Sequence, residues 1–169
     1  MRINGKIYKT IWYRKVEDCV FIIDQTKLPY ETIITKLFCL DDVLKAINTM
    51  QVRGAPLIGA TAAFGLYLAY KEKPSEANLI DAANKIKNTR PTAINLFWAI
   101  ERVINKIDFS EESSKIRERL LFEALEICEQ DINSCKKIGE YGLEIIKKAC
   151  KNKKINILTH CNAGWLATV

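Results

Sequence analysis

Fifteen consecutive residues without a charged side chain, Pro56 to Tyr70, constrain the fold of this chain more than any other segment. The stretch is too short to cross a membrane, because a membrane-spanning helix needs about 20 apolar residues. It contains Gly59, Gly65 and several alanines, small residues that let other helices approach closely. Pro56 fits the first position of a helix, where the N–H that proline lacks would have no partner. We therefore predict a buried central helix that begins near Pro56, and no membrane association.

The residues before this helix predict a small antiparallel sheet. Three stretches rich in β-branched and aromatic residues, at roughly 7–13, 19–24 and 32–38, are separated by turn-forming residues. The residues that follow predict a helical domain. Helix starts are marked by capping residues or by proline, and we place them at Asp41, Pro56, Ser75, Thr92 and Ser110.

The apolar run from Ile155 to Leu158 predicts a further strand. A short Ile/Leu run followed by a polar turn with glycine is typical of a buried parallel strand in an α/β domain. We therefore expect an α+β fold in three parts. Residues 1–40 form a small antiparallel β-sheet, residues 41–151 form a helical domain, and residues 152–169 hold the first strand of a truncated Rossmann-like α/β domain.

Charge and cysteine content bear on several classes of function. The net charge is +6, but no aromatic residues are interleaved with the lysines of residues 147–154, so we expect no nucleic-acid binding. The six cysteines include no Cys-x-x-Cys pair and the one histidine directly precedes Cys161, so we expect no metal site. Cys128 and Cys135 lie in an apolar helical stripe and are expected in the core. Reduced thiols without a signal segment predict a cytoplasmic protein.

Residues 159–164, directly after the predicted strand, form the first candidate site. Side chains at the carboxyl end of a parallel strand usually line the active site of an α/β protein. Cys161 is the candidate reactive group there, and the alternative is that it packs as a small hydrophobe. His160 cannot easily act as its base, because neighbouring residues of a strand point to opposite faces. We expect a structural role for His160.

Two arginines each precede a predicted helix start. Arg53 is followed by Gly54 and Ala55, whose backbone N–H groups would lie at the positive end of the apolar helix. Arg90 precedes a second helix start. Each segment alone could be an ordinary turn. Together with Cys161, the two arginines predict a site for a phosphorylated small molecule.

Four segments of the chain carry a resemblance to a known family. They are Asp24 to Pro29, Met50 to Gly59 with Val-Arg-Gly-Ala-Pro at its centre, Thr89 to Ala99, and Ile157 to Thr168 with His-Cys-Asn-Ala-Gly. In these segments and in their order, the chain resembles the methylthioribose-1-phosphate isomerases of methionine salvage. The resemblance covers nearly the whole chain.

This resemblance implies an aldose–ketose isomerase, which is an intramolecular oxidoreductase. It would convert 5-methylthioribose 1-phosphate to 5-methylthioribulose 1-phosphate without a cofactor. Arg53, Gly54, Ala55 and Arg90 would contact the phosphorylated sugar, and Cys161 would be one of two catalytic groups. The resemblance assigns the second role to an aspartate in a downstream half of the family's proteins.

The same resemblance implies that the chain is the amino-terminal part of such an enzyme. We expect it to be inactive alone, with a separate chain as one possible source of the downstream half, and we expect the complete protein to be a homodimer. Two relatives leave alternatives open. Ribose-1,5-bisphosphate isomerases and the regulatory subunits of the translation initiation guanine-nucleotide exchange factor also resemble this fold. The alternative functions are therefore a non-catalytic regulatory subunit that binds a sugar phosphate or a nucleotide, and a ribose-1,5-bisphosphate isomerase.

Overall fold

The structure is a computed structural model that describes residues 2–3, 5–150 and 154–169. Two antiparallel sheets lie near its N-terminus, and the three-stranded one confirms the predicted small sheet. A two-stranded hairpin, which the sequence analysis did not predict, precedes it. The strands are β1 (Arg2–Ile3) and β2 (Lys6–Ile7) in the hairpin, then β3 (Ile11–Arg14), β4 (Cys19–Ile23) and β5 (Ile34–Leu37) in the order β3-β4-β5.

The middle strand β4 is buried on both faces. Val20 and Ile22 belong to the main hydrophobic core. On the other face, the ring of Phe21 stacks on that of Trp12 with centroids 5.4 Å apart, and the Arg14 guanidinium lies 4.2 Å from the centroid of the Phe21 ring. Burial on both faces fixes this strand, and therefore fixes the turn that begins at its end.

Five α-helices lie in the described part of the chain after the sheets. They are α1 (Leu40–Asn48), α2 (Ala55–Glu72), α3 (Glu76–Thr89), α4 (Ile94–Ile104) and α5 (Ser113–Ala149). A single 3₁₀ turn, Trp165–Ala167, follows them. The combination of an antiparallel sheet and helices confirms the α+β class.

The predicted helix starts are partly confirmed. Ser75 caps α3, and its Oγ accepts a hydrogen bond from the backbone N–H of Asn78 at 3.2 Å. The other predicted starts differ by one to three residues, because Cys39 and Ala93 hold the capping positions of α1 and α4, and α5 begins at Ser113.

Helix α2 is the predicted central helix. Every residue from Leu57 to Tyr70 is buried, and the helix packs against the other four helices. Its small residues allow this contact, since a Cβ added at Gly65 would lie 2.9 Å from side-chain atoms of both Val43 and Ile86. Each fully buried leucine stabilises the fold by about 1.5–3 kcal/mol. None of the helices in the described residues has both the length and the apolar character needed to cross a membrane.

Helix α5 is packed only in its first half. Ile116, Leu120 and Ile127 are buried against the core, and burial raises the pKa of the Cys128 thiol to about 12. Cys135 is exposed, so its predicted place in the core is wrong. The reason is the length of α5, which carries its second half past the helices that cover the first.

The strand predicted at Ile155 is not formed. Residues 154–160 belong to neither sheet of the described chain, and the side chains of Ile157 and Leu158 are exposed. An apolar run becomes a strand only where a neighbouring strand completes its backbone hydrogen bonds, and no described strand lies beside this one. The Rossmann-like domain stays a prediction.

Candidate functional site

A cavity of about 280 Å³ lies beside the N-terminal end of α2. It brings together two of the predicted site residues, Arg53 and Cys161, which are 108 positions apart in the sequence (161 minus 53). The side chains of both are exposed, so an incoming molecule can reach them. The residues that line the cavity are Gln25, Arg53, Cys161, Asn162, Ala163, Leu166 and Ala167.

Gly54 makes the close approach of the two segments possible. Its φ is +92°, in the region that glycine adopts without strain. A Cβ at this position would lie 2.5 Å from both the Cα and the carbonyl oxygen of Ala167. Any larger residue would therefore push the 3₁₀ turn away from α2.

The first turn of α2 is suited to an anion. Gly54 holds the capping position and provides no side-chain cap, and no acidic residue lies in the first turn. Ala55 is exposed there, beside Arg53. The positive end of the helix dipole and the arginine charge add at this place, as in many phosphate sites.

Cys161 lies in a tight turn, not at a strand end. Its φ is +63°, and Gly164 also has a positive φ of +96°. His160 is exposed and is not among the residues that line the cavity. A turn, instead of the end of a strand, therefore places Cys161 in the wall of the cavity.

The segment that carries Cys161 is held by three hydrogen bonds to distant parts of the chain. The Nε2 of Gln25 donates to the carbonyl oxygen of Leu166 at 2.6 Å. Asp131 on α5 accepts from the backbone N–H of Val169 at 2.8 Å, and the hydroxyl of Thr10 donates to the carbonyl oxygen of Thr168. Gln25 was not predicted as a site residue, although its place two positions after a buried strand was a usable signal.

Arg90 is not brought into this cavity. It is half-buried and caps the C-terminal end of α3, where its carbonyl oxygen accepts a hydrogen bond from the backbone N–H of Ala93 at 3.0 Å. It is absent from the residues that line the cavity. Its contact with a substrate stays a prediction.

Several shifted pKa values lie elsewhere, in a group of five residues that we call the Asp18 cluster. Its members are Tyr13, Asp18, Tyr67, Lys71 and Arg117. Partial burial opposes ionisation of Asp18, but hydrogen bonds from the two tyrosines and the charges of Lys71 and Arg117 outweigh it, so the pKa of Asp18 is lowered. Burial, followed by hydrogen bonding, raises the pKa of Tyr13 and of Tyr67.

The Asp18 cluster joins the sheet to α2 and α5. The carboxylate of Asp18 accepts hydrogen bonds from the hydroxyl of Tyr13 at 2.8 Å and from that of Tyr67. The backbone carbonyl of Asp18 accepts one from the side chain of Lys71 at 2.7 Å. Each polar group has a partner within the cluster. We therefore assign it a structural role.

The comparison with known proteins identifies the family. The model of the initiation factor 2 subunit family matches residues 51–169. This chain belongs to that family. The match begins at the segment that carries Arg53 and ends beyond Cys161, so it includes both main residues of the cavity.

Several curated relatives bear the name of the isomerases that the sequence resembles. The chain is 48% identical to the methylthioribose-1-phosphate isomerase of Methylorubrum extorquens and 48% identical to that of Paramagnetospirillum magneticum. All of this chain is covered in both cases, but only 47% of each relative. An uncharacterised protein of Rhodospirillum rubrum, encoded 3′ of petC, is 44% identical and 96% covered. The chain thus spans about half the length of the isomerases that it matches.

Two solved structures have the same fold. The 5-methylthioribose 1-phosphate isomerase of Pyrococcus horikoshii superposes with a TM-score of 0.84 at 37% identity, over 97% of this chain and 46% of that one. The delta subunit of the translation initiation factor eIF-2B from A. fulgidus gives a TM-score of 0.81 at 36% identity, over 95% and 47%.

Proposed function

We propose that this chain supplies the phosphate-binding and thiol-bearing part of a 5-methylthioribose 1-phosphate isomerase. The observation that carries the proposal is the shared cavity of Arg53 and Cys161 beside the first turn of α2. Relatives that are 48% identical to this chain bear the name of that enzyme.

The chemistry of the reaction suits these residues. The substrate carries its phosphate on the anomeric oxygen, so its ring does not open as readily as that of a free sugar. Opening the ring and moving a proton between C1 and C2 both need a general acid and a base. Cys161 is one of these two groups in our proposal. Arg53 and the N–H groups at Gly54 and Ala55 hold the phosphate, and Arg90 reaches the substrate from the end of α3.

The second group must come from elsewhere. None of the seven residues that line the cavity is an aspartate or a glutamate. The family resemblance places an aspartate in the downstream half, which accounts for the length by which the relatives exceed this chain. We therefore propose that this chain alone is inactive and works with that half, on the same or on a separate polypeptide, in a cytoplasmic homodimer.

The distal face of α5 is the proposed docking surface for the downstream half. Ile138, Tyr141 and Ile145 continue the three- and four-residue spacing by which the first half of the helix is packed, yet all three are exposed. Apolar patches of this kind mark interaction sites. Ile157 and Leu158, later in the chain, are exposed as well.

The test is isomerisation of 5-methylthioribose 1-phosphate by this chain, by the separately produced downstream half of a relative, and by their mixture. Activity should appear in the mixture alone, and Cys161→Ser should abolish it. Cys135→Ser is the matched control, because Cys135 is also exposed but lies on α5 away from the cavity. Activity that survives Cys161→Ser would contradict the proposal.

The similarity to the eIF-2B delta subunit favours one alternative, a regulatory subunit without catalysis. Its TM-score of 0.81 is close to that of the isomerase. A reassembled complex that binds the sugar phosphate but never turns it over would support this alternative.

A further inference from the structure

Gln25 connects the two segments that form the candidate site. It follows β4 by two positions, in the turn after the buried strand. Its backbone N–H donates to the carbonyl oxygen of Gln51 at 2.9 Å, in the segment that leads to Arg53. Its Nε2 donates to the carbonyl oxygen of Leu166 at 2.6 Å, in the segment that follows Cys161. One half-buried residue therefore contacts both sides of the cavity that it lines.

The neighbouring Asp24 holds Gln25 in place. Its side chain is buried, with an exposed fraction of 5%. One carboxylate oxygen accepts hydrogen bonds from the backbone N–H and the hydroxyl of Thr26, at 2.9 and 2.6 Å, and the other accepts from Nε2 of Gln51 at 3.2 Å. The Asp24 backbone N–H donates to the carbonyl oxygen of Ile33 at 2.9 Å. Gln25 therefore lies in a turn that is held by the hydrogen bonds of Asp24 with Thr26, Gln51 and Ile33.

The Cys161 segment has few other means of support. Residues 154–160 pair with no described strand. Within the 3₁₀ turn, the fixed points are the Gln25 hydrogen bond to Leu166 and the contact of Ala167 with Gly54. The hydrogen bonds of Thr168 to Thr10 and of Val169 to Asp131 follow the turn. Of these four fixed points, the Gln25 hydrogen bond is the nearest to Cys161 in the sequence.

From this geometry we propose that Gln25 is the positioning residue of the site. It holds Cys161 towards Arg53 through the carbonyl group of Leu166 and through the Gln51 segment. This role rests on the proposed function, because it matters only if Cys161 and Arg53 act on a substrate. Its test measures how close the two side chains are and needs no turnover. Gln25 acts on the substrate only through the residues that it places.

The experiment compares alkylation of Cys161 by iodoacetate, which is an anion, and by neutral iodoacetamide, with each cysteine quantified by mass spectrometry. The positive charge of Arg53, which lines the same cavity, should favour the anion by roughly two- to fivefold in a water-like dielectric. Cys161 in the Arg53→Ala variant is the reference, because Cys135, although exposed and outside the cavity, directly precedes Lys136 and Lys137. Burial raises the pKa of the Cys19, Cys39 and Cys128 thiols, so these react more slowly.

Gln25→Ala should bring the iodoacetate preference of Cys161 down to the value that it has in Arg53→Ala. Gln25→Met should do the same, since it keeps about the same length but removes the donor without adding a charge. Gln130→Ala is the matched control, an exposed glutamine on α5 that binds the Arg102 side chain instead; it should leave the preference intact. Folded Gln25 variants that keep the wild-type preference would overturn the proposal.

Arg53→Ala separates this inference from the proposed function. It should abolish the preference if the arginine faces the thiol. If Arg53→Ala changes nothing, the proposed site is wrong and the role of Gln25 is overturned with it. If Arg53→Ala abolishes the preference and both Gln25 variants keep it, the site stands and only the positioning role is wrong.

Discussion

Gly54 is the single residue on which the geometry of the cavity most depends. We expect Gly54→Ala to lower the free energy of unfolding by roughly 1–3 kcal/mol, because alanine is strained at a φ of +92° and its Cβ would overlap Ala167. Chemical denaturation measures the loss. Gly139→Ala is the matched control, since that glycine lies inside α5 with no atom within 4 Å of its missing Cβ.

The control should respond in the opposite direction. Alanine in a helix interior is favoured over glycine by roughly 0.5–1 kcal/mol, so Gly139→Ala should be neutral or stabilising. Equal unfolding free energies for the two variants would show that the contact between α2 and the 3₁₀ turn does not hold in solution.

The lowered pKa of Asp18 predicts that the free energy of unfolding depends on pH. Its pKa is lowered in the folded chain, so its contribution is fully present above the unfolded pKa of about 3.9 and is lost as the pH falls through the lowered folded value. We expect Asp18→Asn to cost about 1.5–3 kcal/mol at neutral pH, as for hydrogen bonds to a charged group. Asparagine tolerates the φ of +46° at this position, so backbone strain adds little.

The pH series is the decisive part of this experiment. The gap between wild type and Asp18→Asn should begin to narrow below a pH of about 3.9, where the unfolded chain takes up a proton. It should close once the pH is below the lowered pKa of the folded state, because both side chains are then uncharged. Unfolding in denaturant at several pH values measures it. A gap that stays constant down to the acid limit would mean that the carboxylate charge contributes nothing.

At the scale of elements, the two halves of α5 should differ in how much their side chains contribute to the free energy of unfolding. Ile127 is buried in the core with an exposed fraction of 4%, whereas Ile138 is 71% exposed on the same helix. Ile127→Ala should therefore cost about 2–4 kcal/mol of unfolding free energy, while Ile138→Ala should change it by no more than about 0.5 kcal/mol. Thermal or chemical denaturation of the two variants measures the contrast, and a similar loss in both would mean that the distal half is packed in solution.

The elements also show which parts of the fold a sequence can predict. The central helix and the cap at Ser75 depend on residues within a few positions of one another, and both were predicted. The predicted strand at Ile155 needs a partner strand that the described chain does not contain, so the apolar pattern alone was not enough to predict the local structure. The Gln25 hydrogen bond joins residues 141 positions apart, and no local pattern could indicate it. Arg53 and Cys161 were predicted separately, but only the folded chain brings them to one cavity.

For the whole molecule, the unpaired apolar surface predicts how the chain behaves in solution. Ile138, Tyr141 and Ile145 on α5 and Leu158 in the segment after it are all more than half exposed. Surfaces of this kind associate with one another when their proper partner is missing. We expect this chain alone to form a spread of species that grows with concentration, and addition of the downstream half of a relative to convert it to one discrete complex.

Light scattering coupled to size exclusion tests this expectation. A double variant, Ile138→Glu with Tyr141→Glu, should reduce self-association and should also weaken the complex, because one surface is used for both. Tyr30→Glu is the control, since Tyr30 is 93% exposed and lies in the loop between β4 and β5. If the double variant lowers self-association yet binds the downstream half as tightly as wild type, the distal face of α5 is not the docking surface.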